Sequence, residues 1–139
     1  MNWFHWALLS ASFAGATAVL AKVGVKNVDS DLATAVRTSV VFVFAWGVAL
    51  ATRATGGLPD VPRRAWLFLV LSGFATGLSW LCYFRALQLG PAAKVAPVDK
   101  LSVVFVLVFA ALFLGEPLTW RTALGGALIT AGAVVLAWR

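Results

Sequence analysis

The sequence predicts an all-α membrane protein with five transmembrane helices. Of its 139 residues, 62% are hydrophobic and only 12% are charged, whereas about 25% of the residues in a soluble domain are charged. Five apolar runs are long enough to cross a bilayer core, which takes about 20 helical residues. The predicted spans are residues 3–21, 32–51, 65–83, 93–114 and 120–137. They leave only short loops, so we expect a single domain over residues 1–139.

The first span is expected to be a retained helix rather than a cleaved signal peptide. A signal peptide has a basic segment before a short apolar core. Residues 1–5 contain no Lys or Arg, and the run that follows is too long. Lys22 ends this span, where a long basic side chain can reach the membrane surface.

The second span contains a cation inside its apolar run. Asp29 and Asp31 lie just before it and can cap the helix. Arg37 follows about six residues later, or ~9 Å along the helix axis. Its guanidinium can extend back to the surface, or it can bind a carboxylate or another anion through two hydrogen bonds. Both interpretations remain open from the sequence.

The third span has a polar face and an adjacent glycine face. The polar side chains recur at helical spacing and are Ser72, Thr76, Ser79 and Tyr83. Gly73 and Gly77 lie one residue along and form a G-x-x-x-G pair, which lets another helix approach closely. Trp80 lies too deep to belong to an interfacial aromatic belt. The hydroxyl face either lines a polar cavity or joins helices by hydrogen bonds.

The fourth span must include charged residues. Residues 101–114 are apolar apart from Ser102, and this run covers only about 21 Å of the ~30 Å core. The helix must therefore begin near residue 92 or 93, which brings Asp99 and Lys100 into it. Pro97 interrupts its hydrogen bonding, as in discontinuous helices that hold ions and solutes. The alternative is a structural ion pair.

The fifth span is rich in small residues and has no ionisable residue between its ends. Gly125, Gly126 and Gly132 are the candidates for tight helix packing or dimerisation. Gly115 is placed to end the preceding helix, and Thr119 to cap this one.

Several functional classes are excluded by the sequence. The net charge of +6 comes from basic residues scattered at the span ends, so no nucleic-acid partner is expected. One His and one Cys allow neither a catalytic triad nor a metal-ligand cluster. We therefore expect no enzyme activity, no metal and no cofactor.

The basic residues give no clear orientation in the membrane. Four Lys or Arg lie on the side of the amino terminus, namely Arg53, Arg63, Arg64 and Arg121. Five lie on the other side, namely Lys22, Lys26, Arg85, Lys94 and Arg139. Because orientation follows an excess of positive charge on one side, the chain is expected either to be weakly oriented or to insert both ways.

Four segments resemble the EamA domain of the drug/metabolite transporter superfamily. They read YFRALQLGP from Tyr83, KVAPVDKLS from Lys94, FLGEPLT from Phe113 and GGALITAG from Gly125. The position of Arg37 also matches, and the second segment is typical of the single-domain, five-helix branch.

The resemblance implies one half of a ten-helix, inverted-repeat transporter fold. Family members usually carry two such domains around a central substrate cavity, so two copies of this chain are expected to assemble. Inverted repeats require opposite orientations, and the balanced basic residues agree with an antiparallel homodimer of dual topology. A parallel homodimer, or a heterodimer with a sister half, is the alternative.

The expected function is transport of a small metabolite by alternating access. The related small multidrug resistance proteins use a Glu in the first helix, and this chain has none there. Asp99 is the candidate for coupling to an ion or proton, and the surplus of cations favours a zwitterionic or anionic solute. The candidate substrate-binding residues are Arg37, Ser79, Trp80, Tyr83, Asp99, Lys100 and Ser102.

An alternative function is that of a membrane assembly factor or partner subunit that moves no solute. The cluster of Asp99, Lys100 and Arg37 would then be purely structural. In either case the expected partners are the lipid bilayer and a second copy of the chain or another subunit. The expected location is the cell inner membrane, as a multi-pass protein.

Overall fold

The computed structural model describes residues 2–138 and confirms the predicted fold class. This part of the chain has five helices long and apolar enough to cross a membrane and contains no β-strand. The helices are α1 (Trp3–Gly24), α2 (Ser30–Ala51), α3 (Arg63–Leu89), α4 (Ala92–Asp99), α5 (Ser102–Phe109) and α6 (Trp120–Ala137). The segments α4 and α5, with a π-helical turn over Ala110–Leu114, form the fourth span. Met1 and Arg139, the ends of the predicted domain, lie outside the described residues.

The side-chain caps form where the sequence indicated. The carboxylate of Asp29 accepts hydrogen bonds from the backbone N–H groups of Asp31 at 2.9 Å and Leu32 at 3.1 Å. The hydroxyl of Thr119 accepts one from the N–H of Thr122 at 3.2 Å. These bonds satisfy donors that the first turn of a helix leaves unpaired.

The fourth span ends in a left-handed turn at Gly115. Its backbone φ is +68°, a conformation that costs a residue with a Cβ about 1–2 kcal/mol. The N–H groups of Gly115 and Glu116 both donate to the carbonyl of Ala110. The end of the helix is thus closed by its own backbone.

Two helices end later than the apolar runs predict. Helix α1 ends at Gly24 rather than at residue 21, and α3 ends at Leu89 rather than at residue 83. The bilayer thickness sets only the minimum length of a transmembrane helix. The helix continues beyond the membrane until residues such as Gly or Pro end it. For α3 the stop is Gly90-Pro91.

The fourth span is interrupted three residues after Pro97. Lys100 and Leu101 form a turn between α4 and α5, and their N–H groups donate to the carbonyls of Pro97 and Val98 at 3.1 and 3.0 Å. These bonds span three residues instead of four, which tightens the helix locally.

The chain divides into two compact units, and each is described by itself. One unit is Val23–Gln88, with α2 joined to α3 by a 3₁₀ turn over Ala54–Asp60. Its buried apolar residues are Val25, Phe84 and Leu87. The buried hydroxyl of Thr34 donates to the carbonyl of Ser30 at 2.8 Å.

The other unit consists of residues 2–22 and 89–138 within the described chain. Helix α6 packs against α4 and α5, and Gly126 and Ala133 on α6 are buried. Ala18 is the buried residue of α1. The buried residues named in this unit are therefore all small, as is common between transmembrane helices.

Large apolar side chains cover the outside of the helices. Exposed examples are Phe13, Phe44, Phe74, Leu112 and Val135. Such a surface suits contact with lipid and not with water. The chain is a multi-pass membrane protein.

Candidate functional site

In the unit Val23–Gln88, Arg37 of α2 lies against two aromatic rings of α3. Its guanidinium carbon is 4.2 Å from the centroid of the Trp80 ring and 5.6 Å from that of Phe84. Both distances fall within the ~6 Å range of a cation–π interaction. The structure thus brings together Arg37 and Trp80, two of the predicted site residues, and adds Phe84, which was not among the predicted site residues.

Arg37 lies well inside its span and is only partly exposed. It follows Ser30, the first residue of α2, by seven positions, which places it about 10 Å along a core of ~30 Å. Within residues 23–88, the N–H groups of its guanidinium make no hydrogen bond and no ion pair. The aromatic rings are its neighbours in this unit.

The other predicted residues of this unit lie on the same stretch of α3. Ser79 is exposed, whereas Tyr83 is half-buried and its ring is 6.5 Å from that of Phe84. Further back on the polar face, the hydroxyl of Thr76 donates to the carbonyl of Ser72 at 2.9 Å. That hydroxyl is therefore engaged within its own helix.

In the other unit, Asp99 and Lys100 form an ion pair at the interruption of the fourth span. The ammonium and carboxylate are 3.3 Å apart, and the two side chains are 57% and 36% exposed for Lys100 and Asp99, respectively. Ser102, the first residue of α5, is exposed. The structure thus pairs Asp99 with Lys100, and Ser102 follows the turn at Lys100–Leu101.

Two lysines have backbone partners that the sequence does not reveal. The ammonium of Lys22 donates to the carbonyl of Gly90 at 2.8 Å, and that of Lys94 donates to the carbonyl of Trp138 at 3.2 Å. Both carbonyls follow the carboxyl end of a helix, where a cation is electrostatically favourable. A lysine at a span end is a visible signal, but its partner depends on helix packing.

Two further contacts that were not predicted involve Gln88, in the unit Val23–Gln88. The amide of Gln88 donates to the carbonyl of Val28 at 2.9 Å and accepts from the guanidinium of Arg85 at 2.7 Å. The last turn of α3 is thereby tied to the loop before α2.

The predicted packing glycines differ in their surroundings. A Cβ added at Gly126 would lie 2.9 Å from a terminal methyl of Leu107, whereas one added at Gly73, Gly77, Gly125 or Gly132 would have open space around it. Gly73 and Gly77 line an open groove of about 430 Å³ on α3, with apolar side chains on either side. No group of three metal-binding side chains occurs within residues 2–138.

Comparison with known proteins identifies the family. The model of the EamA-like transporter family matches residues 1–138. A protein of Sinorhizobium sp., described as "Uncharacterized transporter in cobO 3'region", is 55% identical over 136 residues, which cover 98% of this chain and 96% of that protein. No solved structure matches. A match over almost the whole length, together with this degree of identity, shows that the chain belongs to the EamA-like transporter family.

Proposed function

We propose that the chain is one subunit of a membrane transporter that moves a small metabolite by alternating access. The observation that carries the proposal is the interrupted fourth span with the Asp99–Lys100 pair at its break. Charged groups at such a depth are costly and usually serve a function. Irregular backbone at that depth is tolerated where it is buried in protein or lines a cavity. The relative described as a transporter supports the same function.

A solute with an anionic or zwitterionic group suits the charges of the candidate residues. Arg37 and Lys100 are cations, and Asp99 is the carboxylate among them. Asp99 serves as the coupling group, and Ser79, Tyr83 and Ser102 contribute hydroxyls.

The proposed assembly is a homodimer. The chain is a single five-helix domain in this proposal, and a second copy supplies the other half of the family's ten-helix arrangement. The nearly equal numbers of basic residues on the two sides of the membrane support opposite orientations. The proposed location is the cell inner membrane.

Flux into proteoliposomes tests the transport function. Liposomes that contain only this chain are assayed with radiolabelled succinate, proline and choline, under imposed proton and electrical gradients. We expect gradient-dependent uptake of succinate or proline by the wild type. Asp99→Asn should reduce it to the level of empty liposomes, because the coupling group is lost, while the assembled protein elutes unchanged.

Asp60→Asn is the matched control, because it makes the same substitution in the 3₁₀ turn outside the spans. Wild-type, gradient-driven flux in Asp99→Asn would exclude the coupling role. Uptake of choline alone would exclude the proposed solute class.

The ion pair also fits the rival function, a membrane assembly or partner subunit. Asp99 and Lys100 are adjacent and neutralise each other, as a structural pair would. On that view no solute in the panel crosses the membrane, and Asp99→Asn affects only stability.

Labelling from both sides of the membrane tests the orientation. Single cysteines replace Asn27 or Thr55, in loops on opposite sides, after Cys82 is changed to Ser. Partial labelling of each position from each side is expected for an antiparallel pair. If each position is labelled from a single side, the two copies are parallel and the antiparallel arrangement is excluded.

A further inference from the structure

Two aromatic rings of α3 hold the guanidinium of Arg37. Trp80 and Phe84 are four residues apart, so their side chains leave the same face of the helix one turn from each other. Both rings lie within cation–π distance of the Arg37 guanidinium. Phe84 is itself only 3% exposed, so packing fixes the position of its ring. A long side chain with many rotamers is thus restricted.

The rings contact the face of the Arg37 guanidinium. No other group of this unit uses its hydrogen-bonding edge. A cation over an aromatic face is attracted by the electrons of the ring, and its planar N–H fork remains able to bind a carboxylate by two parallel hydrogen bonds. The guanidinium of Arg37 makes no hydrogen bond within residues 23–88.

The carboxylates of the same unit are placed elsewhere. Asp29 and Asp31 lie at the start of α2, where the carboxylate of Asp29 caps the helix. Asp60 ends the 3₁₀ turn beyond the other end of α2, so the rest of that helix, about 21 Å, separates it from Arg37. No carboxylate of this unit neutralises the charge of Arg37.

We propose that Arg37 binds the carboxylate of the solute and that Trp80 and Phe84 act as positioning residues for its guanidinium. This inference rests on the proposed transport function for the passage of the solute, but the binding step is measurable without transport. The solute class is a small molecule with a free carboxylate, either an anion or a zwitterion. Phe84 contributes to its affinity without touching it.

Equilibrium binding to the full-length protein in dodecyl maltoside tests the proposal. The probes are radiolabelled succinate and proline, with choline as a solute that lacks a carboxylate. We expect the wild type to bind the first two and not choline. Arg37→Lys keeps the charge but loses the planar pair of N–H donors that binds both carboxylate oxygens. Succinate affinity should therefore fall about tenfold or more.

The ring variants distinguish positioning from packing. Phe84→Leu should weaken succinate binding by about 3- to 10-fold, the range expected for losing one cation–π contact. Phe84→Tyr keeps the ring and should bind nearly as the wild type does. Phe74→Leu is the control, because it makes the same substitution at an exposed position of α3. A purely structural Phe84 would change thermal stability and leave the affinity of the folded fraction unchanged.

The outcomes separate this site from the proposed function. Unchanged succinate affinity in Arg37→Lys or in Phe84→Leu overturns the site, even if the wild type transports solutes. Binding with the expected variant pattern but no flux in liposomes supports the site and overturns the transport function. A wild type that binds phosphatidylglycerol but neither succinate nor proline assigns the anion to lipid and overturns the proposal.

Discussion

Replacing Gly126 by Ala tests a close contact between α6 and α5. The added methyl group would lie 2.9 Å from the Leu107 side chain of α5, whereas carbon atoms in good contact are about 3.5–4.0 Å apart. Leu107, or the two helices, must therefore move by roughly 1 Å. The neighbouring Gly125 has nothing within 4 Å of an added Cβ, so Gly125→Ala is a matched control.

The expected cost follows from this overlap. Overpacking of a well-packed contact costs about 1–3 kcal/mol, and the lower part of that range applies here because the obstructing atom is the end of a flexible side chain. Any gain in helix propensity from Gly to Ala is shared by both variants. Gly126→Ala should therefore be less stable than Gly125→Ala by about 1–2 kcal/mol.

Unfolding by sodium dodecyl sulfate in mixed micelles, followed by circular dichroism, measures the difference. The double variant Gly126→Ala/Leu107→Ala should be less destabilised than the sum of its single variants, because the obstructing methyl is gone. Equal stabilities of the two glycine variants, or a zero coupling energy between positions 107 and 126, would refute the close contact.

Three further substitutions probe other contacts by the same unfolding assay. Asp29→Ala removes the cap of α2 and should cost about 1 kcal/mol, whereas Asp60→Ala should change stability by less than about 0.5 kcal/mol; equal effects would contradict the cap. Gly115→Ala places a Cβ at a φ of +68° and should cost about 1–2 kcal/mol, and a neutral result would argue against the left-handed turn. Lys94→Met removes the hydrogen bond to the carbonyl that follows α6 and should cost about 1 kcal/mol and speed amide exchange in the last turn of α6. Lys26→Met is its control, and similar exchange in both variants would exclude the contact.

Local signals explain which parts of the fold were predictable. An apolar run reports the minimum length of a span, and the residues that end helices act on their immediate neighbours. Asp29, Gly115 and Thr119 therefore perform the roles that the sequence indicated. The end of α3 was missed because the residues after Tyr83 are more polar, although nothing stops the helix before Gly90.

Contacts between distant residues were not predictable from one sequence. The position of Arg37 in its span was visible, but both expected environments were polar, namely the membrane surface or an anion. The structure places it on the rings of Trp80 and Phe84, which are 43 and 47 positions away in the chain. Such a pairing depends on how two helices are rotated about their axes, and a single sequence with no alignment does not report that rotation.

The tightened backbone around Lys100 changes the direction in which the side chains of the following helix, α5, point around the helix axis. A three-residue repeat turns each residue by about 120° instead of about 100°, so every tightened residue adds about 20° of rotation. Lys100, Leu101, Val103 and Val104 all donate to carbonyls three residues back. The side chains of α5 are thus offset by tens of degrees from where a continuous helix would carry them. If the hydrogen bonds here returned to the four-residue spacing of an α-helix, α5 would rotate relative to α4 about the helix axis, and the span would remain continuous.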